Sequence, residues 1–444
     1  MKSKIALYIF ILTAAVGAAT QAQTPQTLTL SDCIRMAHER NVGVKRANLA
    51  RRTAEVARTA ARNARLPQIQ AGMDEGLNFG RSLTSQNTYA ATNTYTTNFS
   101  VSASMPLFTG MRLPNRRKQA ALDLEAAVAD LEKAKDDLSL GVMQAYLQAL
   151  YGQERVRMAR ERLALAETET ARRRRLLAAG KIAGSDVTEA ESAEAQDRLS
   201  LTEAENTEAL ARLELSQLLE MPSPEGPDGF LLAMPEQGPA ALLPEPAEVF
   251  RRARTLRPQL RAGRLRIEQA ALGVKVARAD YMPTVSLGAG LGTSYYKTSA
   301  FESAAFGRQL KDNFGKYLAL SISIPVFNGF ATRDNIRQAK LRHEGALLDL
   351  EESEKALYKE IQTAYYNARG AQARYESALA AERAAAEAFA LIARKYELGK
   401  AGATEYEQRR TACTEAEIER TSAHYEYLFR VSILRFYGGE EPSL

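Results

Sequence analysis

Apolar residues recur in alternating steps of four and three along residues 350–396. They are Leu350, Leu357, Ile361, Ala364, Ala368, Ala371, Tyr375, Ala378, Ala385, Phe389, Ile392 and Tyr396, with only Glu354 and Glu382 interrupting. A seam of period 3.5 sustained this long predicts a coiled coil, because a straight helix of 3.6 residues per turn drifts off it. Subtracting 219 gives a weaker copy: Leu131, Lys135, Leu138, Val142, Ala145, Ala149, Gly152, Val156, Ala159, Leu163, Ala166, Thr170, Arg173 and Leu177. The chain carries this element twice.

Period two marks the strands. Phe99, Val101, Ala103, Met105 and Leu107 alternate with Asn98, Ser100, Ser102 and Ser104. One face is apolar and the other small and polar, and about ten residues suffice for a tilted strand to cross a bilayer. A half-buried strand of a soluble sheet has the same pattern. Ile69 to Phe79 alternates less cleanly, and Arg81 to Thr96 reads as a polar loop. In the second half Val285, Leu287, Ala289 and Leu291 face away from Ser286, Gly288, Gly290 and Gly292. Leu318, Leu320, Ile322, Ile324 and Val326 oppose Ala319, Ser321 and Ser323.

Breakers and caps set the order of elements. A helix is expected over Ser31–Arg65, capped by Ser31 or Asp32 and stopped by Pro67. A long helix follows from Met111 to Ala179. Another, capped by Ser185 or Asp186 with Glu189 completing a capping box, continues to Glu220. Met221 to Pro246 holds seven of the fifteen prolines and divides the halves. A helix over Ala247–Tyr281, a long helix ending at Leu398 and a last helix entered through Thr404 and Glu407 repeat the plan. Pro325-Val326-Phe327-Asn328-Gly329 matches Pro106-Leu107-Phe108-Thr109-Gly110, and Gly399-Lys400 matches Gly180-Lys181. The organisation is therefore a first repeat over 23–220, a linker over 221–246, a second repeat over 247–438 and a tail over 439–444.

Each long helix, at about 68 residues, is ~100 Å long. The two flanking helices of each half, placed end to end, match it, so each half can form a coiled coil with one continuous and one broken partner. Four strands cannot close a barrel, and an open edge in lipid leaves backbone groups unpaired. Several chains must then share one barrel, and small polar inner faces suit a water-filled lumen of twelve or more strands.

Composition agrees with thin helical packing. There is no Trp, and Ala, which buries little area, dominates the apolar fraction. Lys2, Lys4 and the apolar run Ile5–Val16 read as a signal peptide over 1–22, with Thr20-Gln21-Ala22 before the cleavage point. The run is short for a membrane anchor. The net charge of +6 falls to +4 without the two leader lysines. Interleaved acids make the arginine-dense stretches solvated helix faces and argue against nucleic acid as a partner. The run Arg172–Arg175 is either such a face or a contact for an acidic partner. Cys33 and Cys413 read as unpaired, partly buried thiols.

The duplicated plan, the two Pro-[Leu/Val]-Phe-[Thr/Asn]-Gly strand ends and the paired Gly-Lys turns together resemble the TolC-like outer-membrane factors. These are the outer membrane efflux proteins of Gram-negative efflux and type I secretion systems. The resemblance covers essentially the whole mature chain. It implies a mixed, mainly α fold: a homotrimer with a 12-stranded β-barrel in the outer membrane and long coiled-coil hairpins forming an α-barrel across the periplasm. It implies a passive exit duct, closed at the periplasmic tip and opened by a periplasmic adaptor (membrane fusion protein) and an inner-membrane pump.

Tyr396 matches the family's tyrosine at the end of the second long helix, and Asp186 its acidic partner. A hydroxyl donated to a carboxylate is worth ~1.5–3 kcal/mol, so the pair is the expected latch. Tyr396 aligns with Leu177 in the other repeat, so the hairpins differ there. The family's basic partner aligns with Ala401, leaving that link absent or moved to Lys400. Glu405 matches the first of two aperture acids and Gln408 stands at the second, so the ring carries half the usual charge. The turns Gly180-Lys181 and Gly399-Lys400 are the expected adaptor-docking sites. The alternative for Asp186 and Glu405 is that they only charge helix N-termini.

No enzyme chemistry is legible. Gly288-Ala289-Gly290-Leu291-Gly292 has the form of a dinucleotide loop but lies inside a strand and opens no helix. His38, His343 and His424 show no metal-ligand spacing, and no phosphate-binding loop or cofactor motif is present. The rival readings of another class are a periplasmic coiled-coil adaptor and a structural stalk protein.

Overall fold

The two longest helices of each half repeat in length to the residue in the computed structural model, which describes residues 26–83, 87–221, 230–233, 243–299 and 301–440. The first half comprises β1 (Gln26–Leu28), α1 (Leu30–Arg40), α2 (Val42–Asn63), β2 (Gln68–Asn78), β3 (Arg81–Leu83), β4 (Tyr89–Ala91), β5 (Thr94–Thr109), α3 (Arg112–Ala178) and α4 (Gly184–Leu218). The second comprises β6 (Phe230–Leu232), α5 (Pro246–Leu256), α6 (Pro258–Arg278), β7 (Thr284–Thr298), α7 (Phe306–Asp312), β8 (Gly315–Ser323), α8 (Ala331–Glu397) and α9 (Ala403–Tyr437). α3 and α8 have 67 residues each, and α4 and α9 have 35 each. The signal-peptide reading of 1–22 and the linker stretches 222–229 and 234–242 lie outside the described residues.

Several sequence expectations are corrected. The helix expected over Ser31–Arg65 is two helices broken at Asn41, and that over Ala247–Tyr281 breaks at Arg257 before a short 3-10 turn at Ala279–Tyr281. Pro258 has no N–H to continue a helix and suits the first helical position, where none is needed. Asn41 instead turns its side chain to the Leu218 carbonyl at 3.3 Å. Neither Ser31 nor Asp32 is the N-cap. Thr29 is, accepting from the Asp32 N–H at 3.2 Å while Asp32 accepts from the Thr29 N–H at 3.4 Å. The loop expected over Arg81–Thr96 holds the β3–β4 hairpin and the start of β5, so the strand is 16 residues long instead of about ten.

The chain divides into two compact units, each drawing on both repeats. One unit contains Gly43–Ala134 and Arg251–Glu360. It holds the antiparallel sheet β2-β5-β7-β8. The register sorts the side chains into rows. Ile69, Ala103, Ala289 and Leu318 align across all four strands, and the next apolar row is Met105, Leu287 and Leu320. The alternate rows are Gln68, Ser104, Gly288, Ala319 and Gly72, Ser100, Gly292, Gly315. Pleating therefore makes one face mainly apolar and the other mainly small and polar; on β8 Lys316 ends the apolar row of Ala71, Val101 and Leu291, and Tyr317 ends the small row of Gln70, Ser102 and Gly290. Among the described residues both edges, β2 and β8, are unpaired, and Ile69, Leu318 and Ile322 are 71%, 75% and 61% exposed. In the same unit α6 packs on α8 where Leu350, first residue of the long seam, sits over Gly263: a Cβ there would lie 2.9 Å from Leu350 Cδ1. Arg266 pairs with Asp130 at 2.6 Å and Arg254 with Glu354 at 3.0 Å.

The other unit contains the residues up to Val42, Lys135–Phe250 and those from Ile361 on. Its core gathers Leu28, Cys33, Val142, Tyr146, Leu150, Leu215, Phe230 and Phe429. β1 and β6 pair in parallel inside it, so the Pro-rich linker contributes a strand that composition did not reveal. The buried Tyr146 hydroxyl donates to the Ala233 carbonyl at 2.6 Å, closing off a polar group at the end of that sheet. The seam positions are buried as the heptads require: Leu357, Ile361, Ala364, Ala368, Ala371, Ala378 and Ile392 in α8, and Val142, Ala145, Ala149, Val156 and Ala166 in α3. Cys33 is fully buried and Cys413 half-buried, and both are free.

Candidate functional site

The hairpin ends of this second unit carry every residue matched to the gate. α3 and α8 close with the same hydrogen bonds. Gly180 N–H donates to Leu177 O at 2.8 Å and Lys181 N–H to Leu176 O at 2.9 Å. Gly399 N–H donates to Tyr396 O at 3.0 Å and Lys400 N–H to Lys395 O at 2.7 Å. Gly180 and Gly399 have φ of 66° and 69°, a left-handed conformation in which a side chain costs energy. All four turn residues are exposed.

The observed caps lie two or three residues before the expected ones. α4 starts from Ala183 and α9 from Gly402, with no side-chain cap at either. Asp186 sits three residues inside, and its Oδ2 accepts from the Ala183 N–H at 3.2 Å. Thr404 instead donates from Oγ1 to Glu189 of α4 at 3.2 Å. Glu405 and Gln408 lie exposed on the first turns of α9.

The structure does not bring Tyr396 to Asp186. The Tyr396 hydroxyl donates to Glu169 Oε1 at 3.3 Å, and its ring stacks on Tyr406 with centroids 4.7 Å apart. The Arg172 guanidinium stands 5.8 Å from the ring centroid. Glu169 in turn accepts from Arg173 Nε at 3.2 Å, and Arg173 donates from Nη1 to the carbonyl of Asp186 at 3.0 Å. Asp186 thus joins through its backbone, while its carboxylate serves as a cap.

From Arg173 the charges continue inward. Arg173 Nη2 lies 3.8 Å from Glu407, Glu407 pairs with Arg410 at 3.0 Å, and Arg410 reaches Asp197 at 3.5 Å. Arg162 Nε closes on the other Asp197 oxygen at 2.5 Å. Arg173 and Asp197 are only 3% and 2% exposed. The network joins α3 and α4 of the first hairpin to α8 and α9 of the second. The exposed pairs of this unit, such as Arg160–Glu205 and Arg374–Glu419, stay within one hairpin. Exposed pairs contribute little, whereas a buried pair is costly to break from one side.

Burial pushes the Glu407 carboxyl up, against the pull of Arg410 and Arg173, and pushes Asp197 up against Arg162 and Arg410. Burial, then the Glu169 charge, raises Tyr396. Three arginines and three carboxylates thus neutralise one another, with no nucleophile or base poised on a cavity. Among the described residues no group of three or more His, Cys, Asp or Glu could hold a metal.

Glu169, Asp197, Arg162 and Arg410 were not singled out from sequence. One signal was present: Arg173 and Thr170 occupy seam positions that in α8 carry Ile392 and Phe389, and both are buried. Within the run Arg172–Arg175, Arg173 is therefore interior, while Arg172 and Arg174 are exposed and pair with Glu169 and Glu191.

Two helical hairpins, each of one continuous and one broken partner, and a four-stranded antiparallel sheet define a class of mainly α protein with a small sheet. The family model of the outer membrane efflux protein matches residues 33–220 and 249–440. The chain belongs to the outer membrane efflux protein family. It is 30% identical over 272 residues to protein CyaE of Bordetella pertussis, covering 60% of this chain and 53% of that protein. Across the curated relatives it matches, the chain spans 53 to 69% of their length. The fold is shared with the CmeC outer membrane channel of Campylobacter jejuni (TM-score 0.76, 16% identity, 94% of this chain and 87% of that one). It is also shared with the MtrE outer membrane channel of Neisseria gonorrhoeae in its open state (TM-score 0.73, 22% identity, 93% and 89%). Family membership accords with the non-enzymatic reading.

Proposed function

We propose that the chain is one protomer of a trimeric outer-membrane channel, the passive exit duct of a tripartite efflux or type I secretion system. The observation that carries this reading is the sheet: four strands, apolar rows on one face, small polar rows on the other, and two unpaired edges. An apolar face suits lipid, and unpaired edges inside lipid require neighbouring copies. Three copies give twelve strands, enough for a lumen. No helix among the described residues is long and apolar enough to cross a membrane.

The buried network is the gate in this reading. It holds the second hairpin to the first within one protomer, and its rupture would let the hairpins part. Tyr396 with Glu169 is its outermost link, Glu405 and Gln408 line the aperture, and Asp186 fixes the start of α4. The Gly180-Lys181 and Gly399-Lys400 turns present rigid exposed tips to an adaptor that couples the duct to an inner-membrane pump. Sedimentation of the detergent-solubilised chain tests the assembly. A three-chain particle is expected, and a stable single chain contradicts the proposal.

A further inference from the structure

We propose that the helix ends abutting the four-stranded sheet form a cationic collar that binds anionic phospholipid headgroups. The inference rests on reading that sheet as a membrane wall, and all its residues belong to the unit that holds the sheet.

The register places the four helix connections at one end of the sheet. Thr109, Thr284 and Ser323 are partners in a single row, and Gln68 enters opposite Ser104 nearby. α2 ends, α3 begins, α6 ends and α8 begins there. Within about three turns of the strands, residues 56–67, 110–120, 271–283 and 329–342 hold thirteen lysines and arginines and two acids, Asp280 and Asp334. The rest of the chain is net acidic, with 46 cations against 51 acids. The positive charge of the protein is therefore concentrated at this level. Asp280 lies 3.5 Å from Arg112, and Asp334 lies 3.2 Å from Arg333 and 3.8 Å from Arg337. The other ten cations are exposed and form no ion pair among the described residues.

Between collar and sheet lies an apolar step, one residue on each connection. Leu66, Met111, Tyr281 and Phe330 are 59%, 56%, 56% and 54% exposed. Arg333 stands 4.3 Å over the Phe330 ring, a cation held against an apolar body. Lys118 and Lys275 converge from α3 and α6 on one groove of about 460 Å³ with Leu122 and Leu272. Apolar face, apolar step and cations follow the order in which a leaflet presents acyl chains, interface and phosphates. A soluble anion or an acidic protein segment would match the cations but leave the apolar step unused.

The test uses the full chain inserted into vesicles of phosphatidylcholine, alone or mixed with phosphatidylglycerol, then extracted for native mass spectrometry. The protein should retain phosphatidylglycerol over phosphatidylcholine. Arg116→Gln with Arg117→Gln and Lys118→Gln should reduce that preference about fivefold per cation removed at low salt. Arg116→Lys with Arg117→Lys should keep it, which separates lost charge from lost folding. Equal retention of the two lipids, an unchanged preference in the Gln variant, or displacement of lipid by free glycerol phosphate overturns the collar. Failure to insert into either vesicle overturns the membrane reading and the collar with it.

Discussion

Arg410 sits between the buried Asp197 and the half-buried Glu407, and its side chain is 10% exposed. Removing it strands both carboxylates, and breaking a buried pair from one side costs about 3–5 kcal/mol. The lower end is expected for Arg410→Met, because Arg162 and Arg173 still face the acids. Both carboxyls titrate above their ordinary values of 4.5 and 3.8, so the folded chain holds their protons more tightly than the unfolded chain does. Their contribution to stability is full below those values and is lost as pH rises through the raised ones. The deficit of Arg410→Met should therefore be largest at neutral pH and shrink on acidification, read from denaturant midpoints. Adding Asp197→Leu with Arg162→Met should recover part of it, since an apolar cluster avoids the desolvation cost and leaves no arginine without its acid.

The outermost link is smaller. Tyr396→Phe deletes one hydrogen bond to a charged acceptor, about 1.5 kcal/mol at this long distance. It should raise resting conductance, and adding Glu169→Gln should raise it further. Asp186→Ala should leave the Tyr396 contact intact, because the Asp186 carboxylate is engaged with Ala183. Among the thiols, burial pushes Cys33 up to about 12. Alkylation of the folded protein should mark Cys413 first and Cys33 only after denaturation.

At the scale of elements, the ends of α3 and α8 are fixed by glycines at positive φ, a backbone conformation that disfavours any side chain although the space around them is open. Gly180→Val and Gly399→Val place a β-branched residue at positive φ, at a cost of about 1–2 kcal/mol each, measurable as a lower melting temperature. Gly152 in the α3 seam is a different case: a Cβ there would lie 3.0 Å from the Glu208 backbone. Gly152→Leu should separate α3 from α4 and destabilise more than either tip variant. These elements were legible because long seams and alternating strands are periodic, and the 219-residue offset checks each half against the other. Breaks without a periodic signature were not. Asn41 interrupts a pattern that reads as continuous helix, and Phe230–Leu232 is too short to stand out from a Pro-rich stretch. The buried network was illegible for a related reason. Its ion pairs between helices join residues 35 to over 200 positions apart, and each residue alone resembles a charge on a solvated face. Arg173 was the exception, marked by its seam position.

For the whole molecule, the two-faced sheet with open edges is the feature on which the proposed assembly rests. A chain that buried its own sheet would not leave Leu318 and Ile69 exposed on opposite edge strands. The exposed apolar rows, the cationic helix ends and the polar inner rows are each accounted for by three copies closed in lipid around water. An adaptor or a stalk requires none of these. Single-channel recording of the purified full chain in a planar bilayer tests this most directly. The account predicts small resting steps that grow on Tyr396→Phe with Glu169→Gln. Absence of conductance in both proteins, with the chain soluble in the absence of detergent, would contradict it.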